Sequence, residues 1–286
     1  MESLNFKNVF FIGVAGSGMS SLAQYLAGSG VTVSGSDRYF DQNKADDIRQ
    51  KLEDEGIRCY PQDGSGLHPD ADLVVVSTAI EDTVPEVQKA KALNIPIMRR
   101  SELLARVAES RRTIAIGGTS GKSTTCAMLF DILTEAGFDP SIISGAGLIS
   151  IIKKGKIGNA WVGKGDWLII EADESDGSIV QYHPEIGVLL NVDKDHQELD
   201  ELRDIFTRFR DHSKKIFITN QSNPIAALLS TGADHDFAFD EKADAGFKPS
   251  GFQQKGMQIR FDLLGAAFSM NTLGAHNMEN ATAAAV

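Results

Sequence analysis

The stretch Gly117-Gly118-Thr119-Ser120-Gly121-Lys122-Ser123-Thr124-Thr125 places a lysine and three hydroxyls immediately after closely spaced glycines. Such a set can cradle phosphate: backbone amides and a lysine face the oxygens, and a hydroxyl can ligate Mg²⁺. The common triphosphate loop G-x-x-x-x-G-K-[ST] would need glycine at position 116, which is isoleucine, so this loop is of a shorter build. It follows an apolar run, 113–117, and precedes an amphipathic stretch from Ser123 to Gly137. With no carboxylate in its own turn, Lys122 is expected to require an anionic ligand at the start of that helix.

A second glycine loop lies near the N-terminus, in the segment GVAGSGMSS at 13–21. Its pattern is G-x-x-G-x-G, but it too follows an apolar run (8–14) and opens a helix. Two readings stand: its amides and helix end receive a diphosphate, or the loop is a tight glycine turn with no ligand. Asp37 ends the next strand, where an acidic side chain in such folds reaches a ribose or base.

Acid groups form a third cluster. Glu171, Asp173, Glu174 and Asp176 follow the apolar run 167–170. Carboxylates this close repel one another unless solvated or neutralised by a cation, and Mg²⁺ beside a phosphate loop would serve. Glu171, nearest the strand end, is the expected ligand. His196, in the segment NVDKDHQELD at 191–200, is a second candidate for metal or phosphate.

These residues need strand ends and helix starts to hold them. Strand-like runs at 8–14, 31–37, 71–80 and 95–99 alternate with helical patterns at 18–30, 42–56 and 85–94. That order predicts a parallel, doubly wound sheet. A helix at 101–111, capped by Ser101, leads to a restart at 113–118. A domain boundary is therefore expected near 106–112, giving domains 1–108 and 109–286. Further strands are expected at 167–172, 186–192, 215–220 and 235–240, with a helix at 202–213. An antiparallel hairpin is expected at 257–274 and an alanine-rich helix at the end.

Bulk properties narrow the field. The chain has 286 residues, 42% hydrophobic and 23% charged, enough for two cores. A net charge of −11 opposes nucleic-acid binding. No signal-type segment or membrane-length apolar run is present, so no membrane partner is expected. Cys59 and Cys126 read as reduced thiols, and the expected compartment is the cytoplasm. The oligomeric state is left open.

Five motifs in order resemble the Mur ligases, the ATP-dependent amide-forming enzymes of peptidoglycan synthesis: GVAGSGMS, GSD (35–37), GTSGKST (118–124), EADESD (171–176) with Asp195-His196, and HNMEN (276–280). The resemblance runs from residue 8 to the end. It implies an α/β chain, with a Rossmann-like N-terminal domain and a P-loop-type central ATPase domain of mostly parallel sheet. It also implies a third domain, which binds the incoming amine and is expected to be absent here.

The resemblance implies ATP and Mg²⁺ as cofactors, UDP-N-acetylmuramate as one substrate, and an amino acid or peptide amine as the other. The carboxylate would be activated as an acyl phosphate. Gly118, Thr119, Ser120, Gly121, Lys122, Ser123 and Thr124 would bind ATP, with His276, Asn277 and Asn280 at the adenine end. Ser123, Glu171 and His196 would hold Mg²⁺, and Lys122, Glu171 and His196 would be catalytic. Gly13, Gly16, Ser17, Gly18, Met19, Ser20 and Asp37 would bind the UDP-sugar. Ser120 departs from the branch's usual histidine and Ser123 from its threonine. Two rivals remain at this level: a nicotinamide-dependent oxidoreductase, suggested by the first loop, and a nucleotide-binding module without turnover.

Overall fold

The computed structural model describes residues 4–42, 44–174, 177–193, 199–240 and 242–286. By contact the chain divides into two compact units. One comprises 1–111 with 140–165, and the other 112–139 with 166–286. The sequence reading places 140–165 in the domain 109–286, whereas by contact this segment groups with the first unit.

In the first unit, β1 (Asn8–Ile12), α1 (Ser17–Gly28), β2 (Thr32–Ser36), α2 (Asp46–Asp54), β3 (Arg58–Tyr60), β4 (Leu73–Val76), α3 (Pro85–Ala92), β5 (Ile97–Arg99) and α4 (Arg100–Glu109) follow in order. The strands form an all-parallel sheet ordered β3-β2-β1-β4-β5. β1 and β4 are almost continuously buried, which fits strands covered on both faces. Phe10, Ile12 and Val74 pack with Val87 and Ala90 of α3. β3 lies outside the sequence expectation: it has three residues, one of them exposed, and carries little apolar signal. The cap of α4 also differs. Arg99 is the capping residue, its amide donating to Glu102 Oε2 at 3.1 Å, while Ser101 is buried inside the first turn.

The chain then enters the second unit with β6 (Arg112–Gly117) and α5 (Lys122–Glu135). It returns to the first for β7 (Ser141–Ile143), α6 (Ile149–Ile152) and β8 (Ala160–Trp161), where β7 and β8 pair antiparallel. Asn159 anchors this excursion. Its Nδ2 donates to Ser17 O at 2.8 Å and Ser20 Oγ at 2.9 Å, and its Oδ1 accepts from Gln24 at 2.8 Å.

The second unit continues with β9 (Trp167–Glu171), β10 (Ile186–Leu189), α7 (Leu199–His212) and β11 (Ile216–Thr219). Parallel pairing orders its strands β11-β10-β6-β9. Leu202, Phe206 and Phe209 of α7 are buried at helical spacing. The expected strand at 235–240 is reduced to isolated bridges from Phe237 to Asn220 and Phe247. Asp236 explains this: it is fully buried, and its carboxylate accepts from the Thr219 amide at 2.7 Å, turning the local chain into a loop tie.

β12 (Ser250–Lys255), β13 (Gln258–Leu263) and β14 (Ala266–Met270) make an antiparallel meander, followed by α8 (Ala275–Ala285). The expected hairpin is present, with β12 as an added strand whose residues are all exposed. Ile259, Phe261 and Leu263 alternate inward and pack on Met278 and Ala281 of α8. Full burial of such a side chain contributes about 1.5–3 kcal/mol, enough to fix α8 on the meander.

Candidate functional sites

Each sheet reverses strand order beside its first strand, and each glycine loop lies at that switch point, where open α/β sheets bind ligands. In the second unit the loop after β6 joins the start of α5. Gly121 precedes α5 at φ +85°, and Gly118 has φ +136°. No side chain caps α5 and no acid occupies its first turn, so its amide end is available to an anion.

The loop is held from outside. Asn191, just beyond β10, accepts at Oδ1 from Thr119 Oγ1 and the Ser120 amide, both at 2.9 Å. Its Nδ2 donates to Ser120 O at 3.1 Å, and the Thr119 amide donates to Asn191 O at 3.2 Å. The Asp193 amide donates to Thr119 Oγ1 at 3.1 Å. Sequence reasoning missed Asn191. A lone asparagine after a strand carries no local signal, and its partners lie 71–72 residues away. Ser120 serves in this loop tie through its amide and carbonyl.

Lys122 contradicts one expectation. Its counter-charge is already present: Nζ lies 2.9 Å from Glu174 Oε2 and donates to Gly118 O at 2.7 Å. The carboxylate comes from the loop after β9, not from the lysine's own turn. Glu171, last residue of β9, accepts at Oε2 from Ser123 Oγ at 3.0 Å. Adjacent oxygens around an octahedral Mg²⁺ at 2.0–2.1 Å are about 3 Å apart, so this pair fits two such positions. Among the described residues no group of three or more acid, histidine or cysteine side chains is placed to hold a metal. Thr124 is exposed one position further along α5. Asp176, Asp195 and His196 lie outside the described residues, so His196 has no structural account here.

Of the three residues expected at the adenine end, one reaches the loop. A Cβ on Gly121 would lie 2.5 Å from Asn280 Oδ1, which is buried against it. Asn277 is committed to the turn before α8, donating to Thr272 Oγ1 and Leu273 O at 2.8 Å. His276 is exposed at the start of α8. Between them and Asn280, Glu279 is partly buried, and this burial, with the charge of Asp193, pushes its carboxyl up to about 7 from 4.5.

A raised carboxyl pKa means that the folded chain holds the proton more tightly than the unfolded one. Its contribution is full below about pH 4.5 and is lost as pH rises to about 7. Glu279→Gln is therefore expected to gain stability relative to wild type across that window. The gain reaches about 1 kcal/mol above pH 7 once solvent screening is discounted. Thermal melts of both proteins at pH 5 and pH 8 measure it; an equal difference at both pH values contradicts the assignment.

In the first unit a cavity of about 390 Å³ lies at the ends of β1, β2 and β4, lined by Gly13, Gly16, Asp37, Tyr39, Ser77 and Ile80 among others. Asp37 is buried and holds the cavity wall: Oδ2 accepts from the Ala15 amide and Oδ1 from the Tyr39 amide, both at 2.9 Å. Gly16 caps α1 without a side-chain bond. Ser17 and Gly18 form the first turn, Gly18 passing close to Arg100. Met19 and Ser20 are buried, and Ser20 Oγ donates to Ser17 O at 3.0 Å. Gly13 and Gly16 thus face the cavity, while Met19 and Ser20 pack behind it.

Both cysteines are buried. Desolvation pushes the Cys59 thiol up to about 12 and that of Cys126 well above its ordinary value, so neither is a ready nucleophile. Among the described residues no helix is long and apolar enough to cross a membrane.

An all-parallel and a mostly parallel sheet, each with an uncapped glycine-loop helix at its switch point, define an α/β chain with a Rossmann-like unit and a P-loop-type unit. Residues 8–112 match the Mur ligase family, catalytic domain, and residues 116–286 match the Mur ligase middle domain. The chain belongs to the Mur ligase family.

Among its relatives, the UDP-N-acetylmuramate–L-alanine ligase of Mesorhizobium japonicum is 34% identical over 296 residues, covering 96% of this chain and 61% of the relative. The enzyme of the same name from a Synechococcus strain is 36% identical over 293 residues, covering 96% and 58%. The chain thus spans about 60% of the length of these curated relatives. The fold matches that of the Thermotoga maritima UDP-N-acetylmuramate-alanine ligase, with TM-score 0.81 at 23% identity, covering 97% of this chain and 63% of the other. It also matches a UDP-N-acetylmuramate:L-alanyl-γ-D-glutamyl-meso-diaminopimelate ligase from Neisseria meningitides, with TM-score 0.77 at 23% identity, covering 98% and 92%.

Proposed function

We propose that this chain supplies the nucleotide-sugar-binding and ATP-binding parts of a cytoplasmic ligase of peptidoglycan synthesis. The whole protein would join L-alanine to UDP-N-acetylmuramate at the cost of ATP. The observation that carries the reading is the loop at Gly118–Thr124, with Lys122 at the open end of α5 and the Ser123–Glu171 oxygen pair beside it. L-alanine is favoured over a peptide amine by the names of relatives at 34–36% identity.

In this reading Lys122 and the α5 amides hold the β- and γ-phosphates and offset their charge. Ser123 and Glu171 hold Mg²⁺, which neutralises phosphate charge when bound. Asn191 keeps the loop in register, and Asn280 flanks it from α8. Gly13 and Gly16 receive the UDP diphosphate in the first unit's cavity, while Asp37 fixes the cavity wall through its two amide contacts. Domains 1–108 and 109–286 would be the functional division, with 140–165 structurally joined to the first.

Calorimetry on the 286-residue chain tests the two loops separately. A non-hydrolysable ATP analogue with Mg²⁺ and UDP-N-acetylmuramate are each expected to bind, with neither needing the other. Absence of binding by the analogue at millimolar concentration would overturn the assignment. Glu171→Ala is expected to raise the Mg²⁺ concentration needed for half-maximal analogue binding by roughly tenfold, the lower range for disturbing a metal site. An unchanged Mg²⁺ titration would remove Glu171 from the ligand set.

A further inference from the structure

Two carboxylates at and just beyond the end of β9 face different partners. Glu171 faces the Ser123 hydroxyl, whereas Glu174, three residues on, faces the Lys122 ammonium. The Lys122–Glu174 pair is nearly closed to solvent, its side chains 16% and 11% exposed. Lys122 also folds back over its own loop to Gly118 O. The ammonium expected to meet phosphate oxygens is thus already engaged by an anion.

We propose that Glu174 is a built-in counter-ion that competes with the triphosphate for Lys122, holding the loop folded before nucleotide binds and limiting nucleotide affinity. The inference rests on the triphosphate reading above. A buried ammonium without an anion is unfavourable, so the empty loop needs Glu174. A triphosphate brings several negative charges to the same Nζ, and a carboxylate left in place would repel them across a poorly screened gap. Glu174 therefore has to leave when phosphate arrives. Glu174 lies in the connection just beyond β9, outside any strand or helix. Glutamine at 174 would keep the side-chain shape and an oxygen for Nζ, while removing the competing charge.

Calorimetry at fixed Mg²⁺ compares wild type, Glu174→Gln and Glu174→Asp, using a non-hydrolysable ATP analogue and inorganic tripolyphosphate. Glu174→Gln is expected to bind both ligands roughly tenfold more tightly, because the effect lies at the phosphates and not the base. Glu174→Asp retains the charge and is expected to show no such gain. Equal or weaker binding by the glutamine variant, with wild-type binding intact and dependent on Lys122, overturns the inference but leaves the functional reading standing. Absence of triphosphate binding by wild type removes both.

A measurement on the unaltered sequence guards against a variant that fails to fold. In a chain carrying ¹³C-labelled glutamate, saturation with tripolyphosphate is expected to move the Glu174 carboxylate resonance to that of a solvated carboxylate. A resonance that does not move overturns the proposal.

Discussion

Lys122→Ala is expected to weaken binding of the non-hydrolysable ATP analogue by roughly a hundredfold or more, since a charge-assisted partner of the phosphates is lost in a poorly solvated loop. Two effects add. The phosphates lose the ammonium, and Glu174, only 11% exposed, becomes an uncompensated anion in the loop before nucleotide arrives. The second effect also reaches stability. Removing one partner of a buried pair costs about 3–5 kcal/mol, and the partial exposure of this pair reduces that to about 1–3 kcal/mol. Calorimetry reads the first effect and thermal melting the second. The double variant Lys122→Ala/Glu174→Gln should recover stability but not affinity, because it removes the orphan charge without restoring a cation. In a longer protein that includes the amine-binding part, ATP-dependent phosphate release should vanish with Lys122→Ala. Normal turnover there would refute the role of the loop.

Gly121→Val is expected to destabilise the chain by about 3 kcal/mol and to abolish analogue binding, through left-handed strain and a forced clash. Gly121 has φ +85°, and an added Cβ would stand 2.5 Å from Asn280 Oδ1. Asn280 Cγ at 3.3 Å and Leu190 Cδ1 at 3.4 Å crowd the same carbon, so turning the Asn280 amide relieves only the closest contact. A β-branched side chain has few rotamers with which to avoid the contact. Gly137→Ala is the matched control: φ is +81° there, but nothing lies within 4 Å of the added carbon. It should cost about 1 kcal/mol of backbone strain and leave binding unchanged. If both substitutions weakened binding equally, crowding at Asn280 would not be the cause.

The sequence by itself determined the two glycine loops, their place between strand and helix, the order of most elements and the family. A phosphate loop is contiguous: strand, positive-φ glycines, lysine and helix start must follow within about a dozen residues, so the whole requirement is written in one segment. The alternation of buried strands and amphipathic helices is equally local, because each element's pattern reflects its own burial. Where burial was slight or absent, as in β3 and the exposed β12, the pattern gave nothing to read.

Only the tertiary structure decided which groups meet. Lys122 finds its anion 52 residues away in Glu174, and Ser120 is tied to Asn191 across 71 residues. Asn280 reaches Gly121 because the meander holds α8 in place, while its motif neighbour Asn277 is spent on a turn. Residues 140–165 return to the first unit through Asn159, which lies 142 residues from Ser17. None of these partnerships has a period or a spacing. Each forms when separate strands place their ends side by side, and the free energy of burying charge and amide groups selects the partner that satisfies them.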